Sequence, residues 1–210
     1  MNKNTEPATY AAIVLAAGPS TRLGQAKQLV RHRGESLVRK TVRILQAGAP
    51  VSITVVTGCE SEAVENEVSD LPVNIARNAN WERGMGASIA CGVRHLSEDA
   101  DGILLMVCDQ WALEEKDISQ LLTAWKTDIS RIITACWHEG QAFVSGPPVM
   151  FPRKLKHELK YVYENRGARQ VVDRHMDIVE FVTLENASFD LDRPDDLQNL
   201  FKSSQRYPSS

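Results

Sequence analysis

The sequence predicts an α/β fold in three layers, with a mostly parallel mixed sheet covered by helices on both faces. Two observations lead to it: short apolar runs alternate with segments of helical period, and no Gly-, Ser- or Pro-rich linker divides the 210 residues. A strand buried on both faces reads as a continuous apolar run, and alternation with helices makes parallel pairing the natural outcome. The first strand is Tyr10–Ala16, YAAIVLA, which breaks off at Gly18-Pro19;. Further strands are expected at 53–57, 73–76, 103–107, 132–135 and 178–182. Helices are expected at 36–47 ahead of Gly48, 61–68, 85–96 and 116–125. One domain spans residues 9–202, with polar tails at 1–8 and 203–210 expected to be flexible.

Composition narrows the function. With 43% hydrophobic and 24% charged residues the chain can bury a sizeable core;. A formal net charge of -3 excludes a polyanion as the main partner, because no global basic field offsets a phosphate backbone;. Cys59, Cys91, Cys108 and Cys136 form no C-x-x-C pair and read as reduced core thiols;. The polar start MNKNTEPATY is no signal peptide, and no run approaches membrane-spanning length. Together these predict a cytoplasmic protein with neither a nucleic acid nor a membrane as partner.

In open α/β sheets ligands gather outside the carboxyl ends of the strands, so the loop after the first strand matters most. Leu15 to Lys27 reads LAAGPSTRLGQAK. Ala16, Ala17 and Gly18 leave the backbone amides uncovered, free to meet phosphate oxygens. Arg22 and Lys27 then add two cations that a triphosphate would use. Spacing excludes a Walker A loop, whose Lys directly follows the second Gly, since Gln25 and Ala26 separate Gly24 from Lys27. The G-x-G-x-x-G fingerprint is absent too;. On the residues alone, the segment is either a phosphate loop or a tight turn with surface cations.

Taken whole, L-A-A-G-x-S-x-R-x-G-x-x-K-Q-L over residues 15–29 resembles the signature of the MobA-like nucleotidyltransferases, most closely the molybdenum cofactor cytidylyltransferases. The resemblance implies the Rossmann-like fold of nucleotide-diphospho-sugar transferases. It implies contacts to base and phosphates from Leu15, Ala16, Ala17 and Gly18, and catalytic binding of the triphosphate by Arg22 and Lys27. Residues 78–88, NANWERGMGAS, are similar to the family's N-x-x-W-x-x-G-M-x-x-S segment at the nucleobase pocket. This adds Asn78, Gly84 and Ser88 to the nucleotide-binding candidates.

Asp109 follows the 103–107 strand at the ligand-binding edge. Magnesium accepts a few carboxylate oxygens beside phosphate and water, whereas a helix cap is the alternative use of such an Asp; the resemblance implies metal. The second carboxylate comes from Phe189-Asp190-Leu191-Asp192, similar to the family's D-I-D-T-P-E-D-L. Asp190 and Asp192 share one side of an extended chain; Asp192 is the favoured metal ligand and Asp190 the alternative. Asp195 and Asp196, inside a helix begun by Pro194, serve its dipole.

Residues 145–151 and 165–169 are similar to the family's G-x-P-V-x-F and G-D-x-G-A-R, in the half that relatives use for the acceptor. Arg166 and Arg169 are candidates for an acceptor phosphate, or else solvated helix charges. Trp111 in place of the usual Pro, Ser145 before Gly146, and Asn165-Arg166 in place of Gly-Asp depart from the family near the expected acceptor pocket. His138-Glu139 lacks the second His of H-E-x-x-H and reads as loop. Residues 31–35, RHRGE, read as a solvated hairpin turn or a weak addition to the phosphate field.

The implied reaction moves CMP from CTP onto a phosphate of a molybdopterin-type cofactor with Mg2+, and a molybdoenzyme receives the product. Cytidine rests on Ala17, where guanylyl-transferring relatives tend to carry Gly. Two rivals remain. Asp190-Leu191-Asp192 formally matches the D-x-D motif of nucleotide-sugar glycosyltransferases, although that motif lies in mid-chain in such enzymes. A retained fold can also serve as a non-catalytic cofactor chaperone.

Overall fold

β1, Tyr10–Ala16, is buried along its whole length. Side chains alternate across a strand, so Tyr10, Ala12, Val14 and Ala16 enter one core while Ala11, Ile13, Leu15 and the following Ala17 enter another. This double burial is what the unbroken apolar run YAAIVLA encodes. The computed structural model describes residues 7–96, 100–162 and 166–206, and side chains as far as Phe201.

Around β1 the chain adds β4 (Ser52–Thr57), β5 (Asn74–Arg77), β6 (Gly102–Val107), β7 (Ile132–Glu139), β8 (Ala142–Pro152) and β9 (Val179–Thr183). A short hairpin, β2 (Arg31–His32) and β3 (Glu35–Ser36), stands apart from them. The main sheet runs β5-β4-β1-β6-β8-β7-β9, and β8 lies antiparallel to both its neighbours. On one face α1 (Leu37–Gln46), α2 (Ser61–Glu67) and α4 (Glu115–Thr127) contribute Val42, Val64 and Trp125. On the other, α3 (Met85–Arg94), α5 (Lys156–Leu159) and α6 (Arg169–Arg174) contribute Ile89, Leu159 and Val171. The result is the expected three-layer arrangement. No described helix is long and apolar enough to cross a membrane.

Parallel pairing of β1 with β4 and β6, and of β4 with β5, brings four strand ends to one edge. The loops that begin there carry Ala17, Gly58, Asn78 and Asp109. A third, smaller core sits at this edge: Leu23, Val30, Leu37, Trp111, Leu191 and Leu200 pack together. It fastens the loop after β1 and the Asp109 loop to the final helix, α7 (Pro194–Arg206).

Several sequence expectations are corrected. His138 and Glu139 are not loop but the end of β7, paired with Phe143 and Ala142 of β8. β8 itself was hidden by Gly146-Pro147-Pro148, because proline lacks the N–H that a ladder needs. The structure accommodates both prolines at a register shift, where Thr134 pairs with Val149 and Ala135 with Gly146;. Cys108 and Cys136 are buried free thiols, but Cys59 and Cys91 are only half-buried. The last helix runs to Arg206, and residues 1–6 and 207–210 of the tails lie outside the described residues.

Helix α3 packs closely on the sheet through Gly92, where an added Cβ would lie 2.8 Å from both Ile13 Cγ2 and Val56 Cγ2. Gly92→Val is therefore expected to destabilise the fold by about 1–3 kcal/mol through overpacking. Thermal unfolding checks this, and an unchanged midpoint would contradict the close packing.

Candidate nucleotide and metal site

The loop after β1 is shaped from beneath by a residue the sequence reading did not single out. Gln28 is buried at 1% exposure, and its Nε2 donates to the Ala16 carbonyl at 3.0 Å and the Gly18 carbonyl at 2.7 Å. The backbone N–H of Cys59 donates to the intervening Ala17 carbonyl at 3.1 Å. In a trans peptide plane N–H and C=O point in opposite directions. Carbonyls of Ala16 and Ala17 turned toward internal donors therefore turn the N–H groups of Ala17 and Gly18 the other way, as an anion-binding loop requires. Around Gly18 an added Cβ would meet nothing within 4 Å, so the backbone is open to a ligand.

The loop then folds back. Ser20, with φ of +50°, accepts the Leu23 N–H on its carbonyl at 3.1 Å and the Lys27 N–H on its hydroxyl at 3.0 Å. Leu23 is buried in the third core, and its neighbour Arg22 is exposed. Lys27 turns inward. Its Nζ binds Asp109 Oδ2 and lies 3.2 Å from Asp192 Oδ1. Burial alone would push the Lys27 ammonium down, but the two carboxylates outweigh it, so its pKa is raised;.

Asp109 reaches this point from the end of β6, and the Leu191 N–H donates to its carbonyl at 3.1 Å, docking the Asp190-Asp192 segment beside it. Asp196 Oδ2 accepts the N–H groups of Asp192 at 3.0 Å and Arg193 at 2.7 Å, the backward half of a capping box that sets the start of α7;. Asp190 completes a dense cluster of negative charge. Burial first, then Asp192, Asp109 and Asp196, push its carboxyl up to about 6. Asp109 Oδ1 is buried with no hydrogen-bond partner. The described residues hold no group of three or more ligating side chains arranged for a metal ion. The orphaned oxygen of Asp109 with the carboxylate of Asp192 fits a divalent cation only as the small protein share of a shell that phosphate and water complete, as magnesium accepts.

Asn78 and Ser88 are both buried, and they bind each other, with Asn78 Nδ2 donating to Ser88 Oγ at 3.0 Å. Asn78 Oδ1 also accepts the Asn80 N–H at 3.0 Å. These bonds hold the turn that Gly84, with φ of +95°, carries into α3. The segment meets the loop after β1 at Gly58, where an added Cβ would lie 2.7 Å from Trp81 Cβ and 2.9 Å from the Ala17 carbonyl. Only glycine fits that joint.

Arg166 and Arg169 border a cavity of about 210 Å³ with an apolar lining that includes Leu15, Ile89, Leu105 and Val149. Both arginines bind Asp173, Arg169 Nε at 2.7 Å and Arg166 Nη2 at 3.2 Å, and Arg169 Nη1 donates to Ser145 Oγ at 3.2 Å. Of the three departures from the family, Ser145 lines this cavity, Asn165 lies outside the described residues, and Trp111 is elsewhere. Trp111 belongs to the third core, edge-on to His32 and Phe189, and does not line this cavity. Gln110 is a second organiser missed in the sequence: its Nε2 donates to the carbonyls of Pro147 at 2.7 Å and Ala187 at 2.8 Å.

A family model described as a MobA-like NTP transferase domain matches residues 12–179. Nicotine blue oxidoreductase of Paenarthrobacter nicotinovorans is 29% identical over 122 residues, which is 58% of this chain. The match spans 59% of that relative's length. Rv0371c from Mycobacterium tuberculosis H37Rv has a TM-score of 0.79 at 22% identity, covering 94% of this chain and 100% of that one. Its complex with manganese gives 0.77 at 20% identity, covering 93% and 99%. A CMP:2-keto-3-deoxy-manno-octonic acid synthetase complexed with CTP gives 0.75 at 14% identity, covering 95% and 100%. These structures share the three-layer fold.

Gln28→Leu removes the donor from two loop carbonyls while keeping the volume. The expected cost is about 1–3 kcal/mol for the groups left unsatisfied. Urea unfolding measures it, and wild-type stability in the variant would contradict the bracing role.

Proposed function

The chain belongs to the MobA-like NTP transferase family, and on that premise we propose that it transfers CMP from CTP to a phosphate of a molybdopterin-type cofactor, releasing pyrophosphate. One observation carries the reading: a loop with outward amides ends in Lys27, whose ammonium sits between Asp109 and Asp192. A cation and paired carboxylates at the end of an anion-binding loop suit a triphosphate better than a redox cofactor, the chemistry that the name nicotine blue oxidoreductase suggests.

In this reading Arg22, Lys27 and the N–H groups of Ala17 and Gly18 hold the phosphate oxygens, and Leu15 and Ala16 border the nucleoside. Asn78, Gly84 and Ser88 shape the wall on which the base rests. Lys27 exchanges a carboxylate partner for a phosphate oxygen as the nucleotide enters. Asp109 and Asp192 would hold Mg2+, which when bound supplies charge neutralisation at the reacting phosphates; the manganese complex of Rv0371c supports a divalent ion.

The acceptor phosphate is already an anionic nucleophile, so no general base is needed. Its oxygen forms a bond to the α-phosphorus as the bond from that phosphorus to the bridging oxygen of pyrophosphate breaks. Catalysis rests on alignment and on stabilising the charge that develops. Arg166 and Arg169 hold the acceptor, with Asp173 fixing their forks until it binds. Ala17 supports cytidine, as does the CTP complex of the synthetase with the same fold.

Pyrophosphate release from CTP, GTP, ATP and UTP in the presence of the acceptor tests the proposal. CTP is expected to turn over fastest, and equal or faster turnover of GTP would contradict the cytidine assignment. Free nucleoside diphosphate as product would point to sugar transfer, and nucleotide binding without turnover to a chaperone. Lys27→Ala should lower kcat by about a hundredfold or more, as loss of a preorganised charge does. Unchanged turnover in that variant would remove Lys27 from the site.

A further inference from the structure

Helix α3 faces two hollows. Met85 and Ile89 border the cavity beside Arg166 and Arg169. Ala87, Ala90 and Arg94 line a separate cleft of about 450 Å³, closed by Asn80 and Arg83 ahead of the helix and by Lys160 and Tyr161 after α5. Spacings of three and four residues put Arg83, Ala87, Ala90 and Arg94 in one row, so two arginines stand at the ends of a floor of methyl groups. Lys27, Asp109 and Asp192 do not line this cleft.

No described carboxylate lines it. Among the described residues the side chains of Arg83 and Lys160 have no ion-pair partner, and Arg94 has only the neutral Lys160 carbonyl, which accepts from its Nη2 at 3.3 Å. Cations close by are matched. Arg77, just before Asn78, is held by Glu65 at 2.6 Å, and Arg174 by Glu158 of α5 at 3.1 Å. In a chain of net charge -3, three unmatched cations around one cleft repel one another unless an anion joins them;. Tyr161, 66% exposed, presents an open ring beside Lys160, tilted on His157 at a centroid distance of 4.8 Å.

We infer that this cleft binds a small organic phosphate, with its phosphate group between Arg83, Arg94 and Lys160 and its organic body against the ring of Tyr161. Guanidinium and ammonium groups donate and never accept, so the occupant must be rich in acceptors. A phosphate monoester brings three acceptor oxygens and a charge of about -2, which serve two guanidinium forks and an ammonium together. A carboxylate, with two oxygens and one charge, serves a single fork. Binding here does not depend on what the Lys27 cluster does.

Phenyl phosphate is the probe. Titrated into the full chain, it is followed by the backbone amide resonances of Ala87 and Ala90. A saturable shift is expected in the wild type and in Lys27→Ala, which separates this cleft from the loop after β1. Arg83→Gln, Arg94→Gln and Lys160→Gln should each weaken binding about fivefold or more, the loss of one charge-assisted hydrogen bond in contact with solvent. Benzenesulfonate, a monoanion of similar shape, should bind more weakly than phenyl phosphate, and Tyr161→Ala should remove the advantage of phenyl phosphate over inorganic phosphate. Unchanged affinity in the three glutamine variants, loss of the shift in Lys27→Ala, or equal binding of benzenesulfonate or inorganic phosphate by the wild type would each overturn the proposal.

Discussion

The contact on which the site depends is the ammonium of Lys27 between Asp109 and Asp192. Three chain segments that are distant in sequence meet there: the loop after β1, the end of β6 and the stretch before α7. Charges so removed from water are costly unless paired, and the Asp109 side chain is only 13% exposed;. The opposing influences on Lys27 show which effect wins, since its pKa rises despite burial. The ammonium is thus locked on, while the Asp190 carboxyl is pushed up first by burial and then by the neighbouring carboxylates.

This contact would be useless on a loop that wandered. Gln28 ties the carbonyls on either side of Ala17, Gly58 permits the close approach of the Trp81 segment, and Leu23 anchors the far end of the loop in the core around Trp111. The apolar packing of Leu191 and Leu200 in that same core brings Asp192 within reach. Packing of uncharged residues therefore places the charged ones, and Trp111, a departure from the family pattern, is part of that packing.

Much of this was legible in the sequence, for identifiable reasons. Tyr10–Ala16 reads correctly because burial on both faces leaves an unbroken apolar run, and helix α1 because its apolar spacing stops just short of Gly48. β8 was not legible, since its adjacent prolines Pro147 and Pro148 sit where its pairing with β7 shifts register. The candidates of the nucleotide loop could be named from their pattern, but their support could not. Gln28 stood beside Lys27 within the signature, yet its burial and its two carbonyl partners depend on tertiary structure. The same holds for the choice between Asp190 and Asp192: an extended chain puts both on one side, and only the docking of Leu191 against Asp109 decides which carboxylate reaches Lys27.

If, as proposed, Asp109 and Asp192 hold a divalent cation beside Lys27 and an incoming triphosphate, the ion must depend on both carboxylates. Electron paramagnetic resonance of Mn2+ titrated into the protein with CTP addresses this directly. A saturable bound-ion signal is predicted, abolished in Asp109→Asn and weakened in Asp192→Asn. Undiminished manganese binding in both variants would contradict it.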